Sequence, residues 1–230
     1  MRRASLFPCT VSFCCPNQKT PAMLDICDSL KTLAVKRQLF HSEADFQHAL
    51  AWQIQQLRPA AEIRLELPVA GETRRYLDIA VQDGTERVLI ELKYTTREFR
   101  IRIGAEAFHL RDQRAQDVRR YDYLKDIERL ESMLSEQVGT RGYAILLSND
   151  HTYWTKGRTD TVDAAFRLHE DSLLSDTRHW DQNTAAGTMR GREDPIHLRG
   201  NYRNQWRDYA RVGEGSGGEF RYLLQEIGPD

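Results

Sequence analysis

Three charged residues in the first half of the chain have the types and spacing of a hydrolytic metal site. Glu91 and Lys93 lie in the otherwise apolar run VLIELKYTT (88–96), whose alternation has the period of two expected of a β-strand. On a strand, both side chains therefore point to the same face. Asp78 lies in the preceding run LDIAV, and a tight turn after Asp83 predicts that it is directly opposite Glu91 in a hairpin.

Two carboxylates at that distance repel each other unless a cation lies between them. Hard oxygen ligands suit Mg²⁺, and Mn²⁺ should be able to replace it. A metal ion held there could bind a phosphate oxygen and a water molecule, which Lys93 could orient or deprotonate. The alternative is that Glu91 and Lys93 form an ordinary surface ion pair on an edge strand.

Helical and strand patterns surround these residues. Ser42 is the predicted N-cap of a helix, with Asp45 three residues on in a variant of the capping box. The predicted elements in chain order are this helix, strands at 62–69, 74–82 and 88–96, a helix at about 115–134, and strands at 142–149 and 219–227. This order indicates an α/β or α+β layer structure. Because the last strand is strongly apolar, we expect the C-terminal extension to return to the core.

Composition predicts one globular domain at residues 23–230. The 230 residues include 40% hydrophobic and 29% charged residues with a net charge of −1, which is typical of an ordinary globular protein. No apolar run approaches the roughly 20 residues that span a bilayer. Residues 1–22 contain three cysteines without metal-ligand spacing, and Pro8 interrupts a short apolar stretch. We interpret them as a disordered leader or an over-called start before Met23, and we expect a cytoplasmic protein.

The combination of Asp78 in YLDIAV with Glu91 and Lys93 in IELKY resembles the PD-(D/E)xK (restriction-endonuclease-like) nuclease superfamily. The chain is also similar to stand-alone bacterial restriction-endonuclease-like proteins through HSEADFQHALAW, AQDVRRYDYLKDIERLE, YAILLSND and DAAFRLHE. This resemblance implies an α/β fold whose mixed central sheet is flanked by helices. Its core would cover about residues 40–149 and would contain, in order, a helix, three strands, a helix and a strand. Residues 150–230 would elaborate this core.

The resemblance also assigns roles within the site. It implies that Asp78, Glu91 and the carbonyl of Leu92 bind metal, that Glu43 adds a further carboxylate, and that Lys93 positions the water. Glu43 could instead only favour the helix N-terminus by its charge. Gln116 is a possible active-site neighbour, because related nucleases carry a glutamine in this helix, although an ordinary buried amide is an equal alternative.

Two arginine-rich segments could hold a phosphate backbone. Residues 97–120 contain seven arginines and four acids, and residues 190–211 contain six arginines and three acids with interleaved aromatic residues. Arginine with aromatic residues is typical of grooves that bind phosphate and stack bases. The predicted nucleic-acid-binding residues are Arg114, Arg119, Arg120, Arg203 and Trp206. The alternative is a solvated surface that is merely rich in arginine.

These features predict a Mg²⁺-dependent nuclease that hydrolyses phosphodiester bonds of DNA, more as an endonuclease than as an exonuclease. Defence against foreign DNA is the role that the resemblance implies. A nuclease acting on RNA is one alternative, and a catalytically idle nucleic-acid-binding or assembly module on the same fold is another. Many members of the superfamily dimerise, so a homodimer is expected, and an accessory protein partner remains open.

Overall fold

The computed structural model of the chain describes residues 23–69, 75–135 and 139–228, so the predicted leader at residues 1–22 lies outside it. The described residues form four α-helices and ten strands. The helices are α1 (Ile26–Lys36), α2 (Glu43–Leu57), α3 (Gln116–Leu134) and α4 (Ala186–Met189). The strands are β1 (Glu62–Pro68), β2 (Tyr76–Asp83), β3 (Glu86–Thr95), β4 (Phe99–Ile103), β5 (Glu106–Leu110), β6 (Thr140–Ser148), β7 (Leu173–Arg178), β8 (Ile196–Arg203), β9 (Trp206–Arg211) and β10 (Glu219–Ile227).

A six-stranded mixed sheet lies at the centre, with the strand order β1-β2-β3-β6-β10-β9. Strand β2 is antiparallel to β1 and β3, whereas β3 and β6 are parallel. The last strand, β10, pairs antiparallel with both β6 and β9. The protein is therefore α/β with a mixed central sheet and flanking helices, and its C-terminal strand returns to the core as expected.

Helices α1 and α2 pack on one face of this sheet. Helix α2 begins where the sequence predicts, since the Ser42 hydroxyl accepts a hydrogen bond of 3.1 Å from the Asp45 amide. Its apolar side chains, such as Phe46 and Leu50, join a cluster with Ile90 and Leu92 of β3. The alternate residues of β3 that point this way are thus the apolar ones, which leaves Glu91 and Lys93 on the opposite face.

Helix α3 covers that opposite face. Leu124, Ile127 and Leu130 of α3 pack with Leu89 of β3 and Leu146 of β6 in a second buried cluster. The hairpin of β7 and β8 also packs on α3, so the sheet lies between two layers. Glu91 and Lys93 therefore face a helix rather than open solvent.

The β2–β3 hairpin has the predicted register. Asp83 pairs with Glu86 and Ile79 pairs with Ile90, so extending the register by one residue places Asp78 opposite Glu91. Gly84 adopts φ +60° in the turn, a conformation that glycine reaches without steric cost. The short turn is therefore what aligns the two carboxylates.

Several elements were not predicted from the sequence, notably α1 and the β4–β5 hairpin. This hairpin follows β3 directly, and its Phe108 and Leu110 bury against the α1–α2 side of the core. Within the described ranges, no helix is long and apolar enough to cross a membrane.

Candidate active site

A polar cleft of about 430 Å³ lies between the end of the β2–β3 hairpin and helix α3. Asp78, Glu91 and Lys93 all line it, together with Asp126 and Arg129 of α3. The structure thus brings the three residues of the sequence motif into one cavity. The remaining lining residues are Arg75, Tyr76, Tyr121, Asp122, Lys125, Arg190, Gly191, Arg192 and Asp194.

Asp78 is fixed through both its side chain and its backbone. Its Oδ2 accepts a hydrogen bond of 2.6 Å from the Leu92 amide, which the pairing of β2 with β3 does not reach. The buried side chain of Gln47 donates from Nε2 to the Asp78 carbonyl at 2.7 Å and to Glu66 Oε1 at 2.8 Å. Burial raises the pKa of Asp78 to about 6, and Lys93 and the Leu92 amide offset this only in part.

Glu43 reaches the same strand from helix α2. Its Oε2 accepts a hydrogen bond of 2.7 Å from the Tyr94 amide, two residues after the amide that Asp78 binds. In a strand, the amide and carbonyl of one residue point to the same side, so the Leu92 carbonyl also faces this edge. The negative charge of Glu43 adds to the effect of burial in raising the pKa of Asp78, but Glu43 is not among the residues that line the cleft.

Glu91 is only 2% exposed and is paired with a cation from α3. Its Oε1 lies 2.6 Å from Nη2 and 3.0 Å from Nε of Arg129. The same guanidinium lies 2.7 Å from Asp126 Oδ1. Burial raises the pKa of Glu91 and Asp126 raises it further, whereas Arg129 lowers it.

Lys93 completes a chain of alternating charges. Its Nζ lies 2.6 Å from Asp126 Oδ2 and 3.2 Å from the Leu92 carbonyl oxygen. Burial on its own lowers the pKa of Lys93, but the carboxylates of Asp126 and Glu43 outweigh burial and the pKa is raised overall. Lys93 therefore stays cationic at neutral pH, which suits it to orient a water molecule rather than to deprotonate one.

Asp126, Arg129 and Gln47 were not singled out from the sequence. Asp126 lies three residues after Tyr123 and four before Leu130, so a charge falls on the apolar stripe of α3. Gln47 lies four residues after Glu43 and therefore faces the same way on α2. Polar residues on the buried side of a helix were the available signal.

The donor atoms suit a hard divalent cation. Asp78, Glu43 and Glu91 offer carboxylate oxygens, Leu92 offers a carbonyl oxygen, and oxygen-only sets are the ligands that Mg²⁺ prefers. Among the described residues, no three His, Cys, Asp or Glu side chains already converge as a metal-binding group. The Glu91 oxygen faces Arg129 instead. The donor atoms therefore fit Mg²⁺, and Arg129 contacts one of them, Glu91 Oε1.

Gln116 lies away from the cleft, which corrects the expectation of an active-site neighbour. Its Nε2 donates to Asp150 Oδ2 at 3.1 Å, and it is not among the lining residues. Ten residues separate it from Asp126 on α3, a rise of about 15 Å along the helix. Gln116 is therefore an ordinary hydrogen-bonded amide, which was the alternative interpretation.

Two of the residues predicted to bind nucleic acid are buried. Arg120 is 3% exposed, and its Nη1 lies 2.7 Å from Asp163 Oδ2. Trp206 is 4% exposed, and its indole donates to the Leu168 carbonyl at 2.7 Å. This corrects the expectation that they lie on a nucleic-acid surface, because both side chains pack and bond within the protein.

The other three predicted arginines lie outside the cleft. Arg114 is exposed and 3.3 Å from Asp112, Arg203 donates to the Asp171 carbonyl at 3.1 Å, and Arg119 is half-buried. The cleft shares part of its lining with a second cavity of about 750 Å³, to which His197 and Arg199 contribute together with the acids Glu128 and Glu131. The residues that line both cavities are Arg75, Lys125, Arg129 and Asp194.

Comparisons with known proteins assign no relative: no protein-family model matches, and neither the curated proteins nor the solved structures show a significant match. The chemistry of the cleft therefore follows from its own residues. Carboxylates beside a cationic lysine can hold a divalent cation, and the surrounding basic side chains can hold phosphate.

Proposed function

We propose that this protein is a Mg²⁺-dependent nuclease that hydrolyses phosphodiester bonds of DNA. The observation that carries the proposal is the meeting of Asp78, Glu91 and Lys93 in one polar cleft. The resemblance to PD-(D/E)xK nucleases supports it, because those residues are the ones that the motif requires. The order α2, β1, β2, β3, the β4–β5 hairpin, α3, β6 supports a restriction-endonuclease-like core, since it contains the series helix, three strands, helix, strand with one hairpin inserted before the second helix.

The residues would divide the work as follows. Asp78, Glu91 and the Leu92 carbonyl would hold the metal ion, with Glu43 contributing charge from the strand edge. Bound Mg²⁺, or Mn²⁺ in its place, would polarise the phosphoryl oxygen and lower the pKa of the attacking water. Lys93, kept cationic by Asp126, would orient that water and neutralise charge on the phosphate.

The surroundings of the cleft favour a polynucleotide over a small phosphate ester. The two cavities share the basic residues Arg75, Lys125 and Arg129, so a nucleic-acid strand held at Lys93 could continue past Lys125 towards Arg199. Tyr76 is 47% exposed at the mouth of the cleft and could stack on a base. Defence against foreign DNA is the role that the resemblance favours, and a homodimer would supply one cleft for each strand of a duplex.

The second candidate is a catalytically idle nucleic-acid-binding or assembly module on the same fold. One observation favours it: Glu91 and Lys93 are both ion-paired to α3, which is how a purely structural charge network would be arranged. RNA is a further alternative substrate, because the same groups would act on its phosphodiester bonds.

The test is an assay of the purified protein with supercoiled plasmid, single-stranded DNA and RNA, each with Mg²⁺ and with EDTA. We expect the plasmid to be nicked with Mg²⁺ and to stay intact with EDTA. Cleavage of RNA alone would reassign the substrate. Binding of DNA without cleavage under every condition would support the idle module.

A further inference from the structure

Arg129 contacts the carboxylate of Glu91, one of the groups proposed to bind the cation. Two nitrogens of its guanidinium, Nη2 at 2.6 Å and Nε at 3.0 Å, contact the same oxygen, Glu91 Oε1. A second contact of 2.7 Å joins Nη2 to Asp126 Oδ1. The side chains of Glu91 and Arg129 are 2% and 12% exposed, so the pair is largely removed from water.

We infer that Arg129 is the resident counter-ion of Glu91 and that a divalent metal ion binds by displacing it. The inference rests on the proposed function, because it concerns the same metal site. Asp126 then has two tasks: it keeps Lys93 charged, and it holds the displaced guanidinium.

A buried carboxylate without a partner is strongly unfavourable, so a cation must neutralise Glu91 whenever it is ionised. Without metal, Arg129 provides that charge. A metal ion on Oε1 would repel the guanidinium at this distance, so both cannot bind the same oxygen. The free energy of breaking the arginine pair therefore subtracts from the metal affinity.

The displaced side chain has a place to go. Arg129 lines both the cleft of about 430 Å³ and the adjoining cavity of about 750 Å³. A rotation of the Arg129 side chain away from Glu91 would keep its contact with Asp126 and would turn the guanidinium towards the adjoining cavity. A guanidinium binds phosphate in a bidentate manner, so Arg129 would then contact the nucleic-acid backbone. Metal and nucleic acid would thus strengthen each other's binding.

The experiment is a calorimetric titration of the protein with Mn²⁺ alone, in the absence of nucleic acid. Arg129→Gln removes the competing charge, and we expect Mn²⁺ to bind about tenfold more tightly or better, a change equivalent to about 1.4 kcal/mol. Arg192→Gln is the matched control. It removes the same charge from the same cleft, but Arg192 pairs with Asp122, at 2.6 and 2.8 Å, and not with Glu91.

A second measurement covers the case in which Arg129→Gln folds poorly. Because the variant leaves Glu91 without its cation, its melting temperature should fall, and saturating Mn²⁺ should raise it by more than in the wild type. Arg129→Lys keeps a charge without the fork and should bind Mn²⁺ with intermediate affinity. Adding Asp78→Asn to Arg129→Gln should abolish the tight binding.

The outcomes separate the inference from the proposed function. Equal Mn²⁺ affinities of the wild type, Arg129→Gln and Arg192→Gln would overturn the exchange while leaving the nuclease proposal in place. Equal tightening in both single variants would also overturn it, because general electrostatics would then suffice. Tight binding that survives Asp78→Asn would place the ion elsewhere. No Mn²⁺ binding by the wild type or by Arg129→Gln would overturn the proposed metal site itself.

Discussion

Lys93 and Asp126 form a buried ion pair, with Nζ 2.6 Å from Oδ2 and side chains that are 20% and 7% exposed. Lys93→Met should therefore lower the free energy of unfolding, but by less than the roughly 3–5 kcal/mol that a fully unpaired buried charge costs, because Asp126 keeps its contact with Arg129. The same change should slow DNA cleavage by a factor of about 10²–10⁴, since a positioned water is lost. Urea unfolding and a nicking assay measure the two effects.

A double variant separates these effects. Asp126→Asn added to Lys93→Met removes the Asp126 charge that has lost one of its two cations, while the amide oxygen can still accept a hydrogen bond from Arg129. Stability should largely recover and cleavage should not. If cleavage returns together with stability, Lys93 serves only as a structural partner.

Glu43 should matter for metal binding more than for folding. The amide oxygen of Glu43→Gln can still accept the hydrogen bond from the Tyr94 amide, so the melting temperature should change little. The lost charge should weaken Mn²⁺ binding in calorimetry. Asp45→Asn is the control, because it removes an equal charge from the same helical turn but one that pairs with Arg37. If both variants weaken Mn²⁺ binding equally, Glu43 acts only through its general negative charge and is not a ligand.

The stabilisation by metal should depend on pH through Asp78. Burial raises the pKa of Asp78 from 3.8 to about 6, so between these values the folded state binds the proton more tightly than the unfolded state. Without metal, the stability that protonated Asp78 contributes is lost as the pH rises through about 6. Mn²⁺ needs the carboxylates of both Asp78 and Glu91, and burial raises the pKa of Glu91 to about 9, so the stabilising effect of Mn²⁺ should fade below about pH 6 and should still increase as the pH rises towards about 9.

Melting temperatures with and without Mn²⁺, recorded from about pH 5 to about pH 8, test this linkage. Asp78→Asn should remove the part of the metal effect that changes near pH 6. A shift of the melting temperature by Mn²⁺ that is the same at every pH would show that Asp78 is not a ligand.

The path of the nucleic acid can be tested on one strand, β8. Arg199 lines the second cavity, whereas Arg203 lies four residues on, about 13 Å along the strand, and outside both cavities. Arg199→Gln should weaken DNA binding and reduce the slope of log K against log salt by about one, as one phosphate contact is lost. Arg203→Gln should leave the slope unchanged. The reverse result would place the nucleic acid on the surface around Arg203, as the sequence analysis predicted.

Sequence reasoning succeeded where the determinants are local. The period of two around Glu91 and the tight turn after Asp83 were sufficient to predict the register of β2 and β3 from Asp83 and Glu86 to Ile79 and Ile90, because register follows from turn length. The capped start of α2 at Ser42 was predicted for the same reason. In these cases, neighbouring residues determine the geometry.

Sequence reasoning failed where contacts between distant segments determine which side chains meet. Arg129 and Glu91 are 38 residues apart, and no local pattern predicts that their side chains meet. Arg120 and Arg114 belong to the same arginine-rich segment, yet Arg120 is buried against Asp163 and Arg114 is exposed. Asp126 was not singled out from the sequence, and only the packing of α3 on β3 shows that Lys93 is its partner.

The most direct test of the central claim is plasmid cleavage by Asp78→Asn compared with the wild type in Mg²⁺. The asparagine oxygen can still accept the Leu92 amide hydrogen bond, so the variant should fold and bind DNA. We predict that the wild type nicks the plasmid, that EDTA stops it, and that Asp78→Asn is slower by a factor of about 10² or more. Equal cleavage by the two proteins, or none by the wild type on DNA or RNA, would contradict the assignment of this cleft as a nuclease active site.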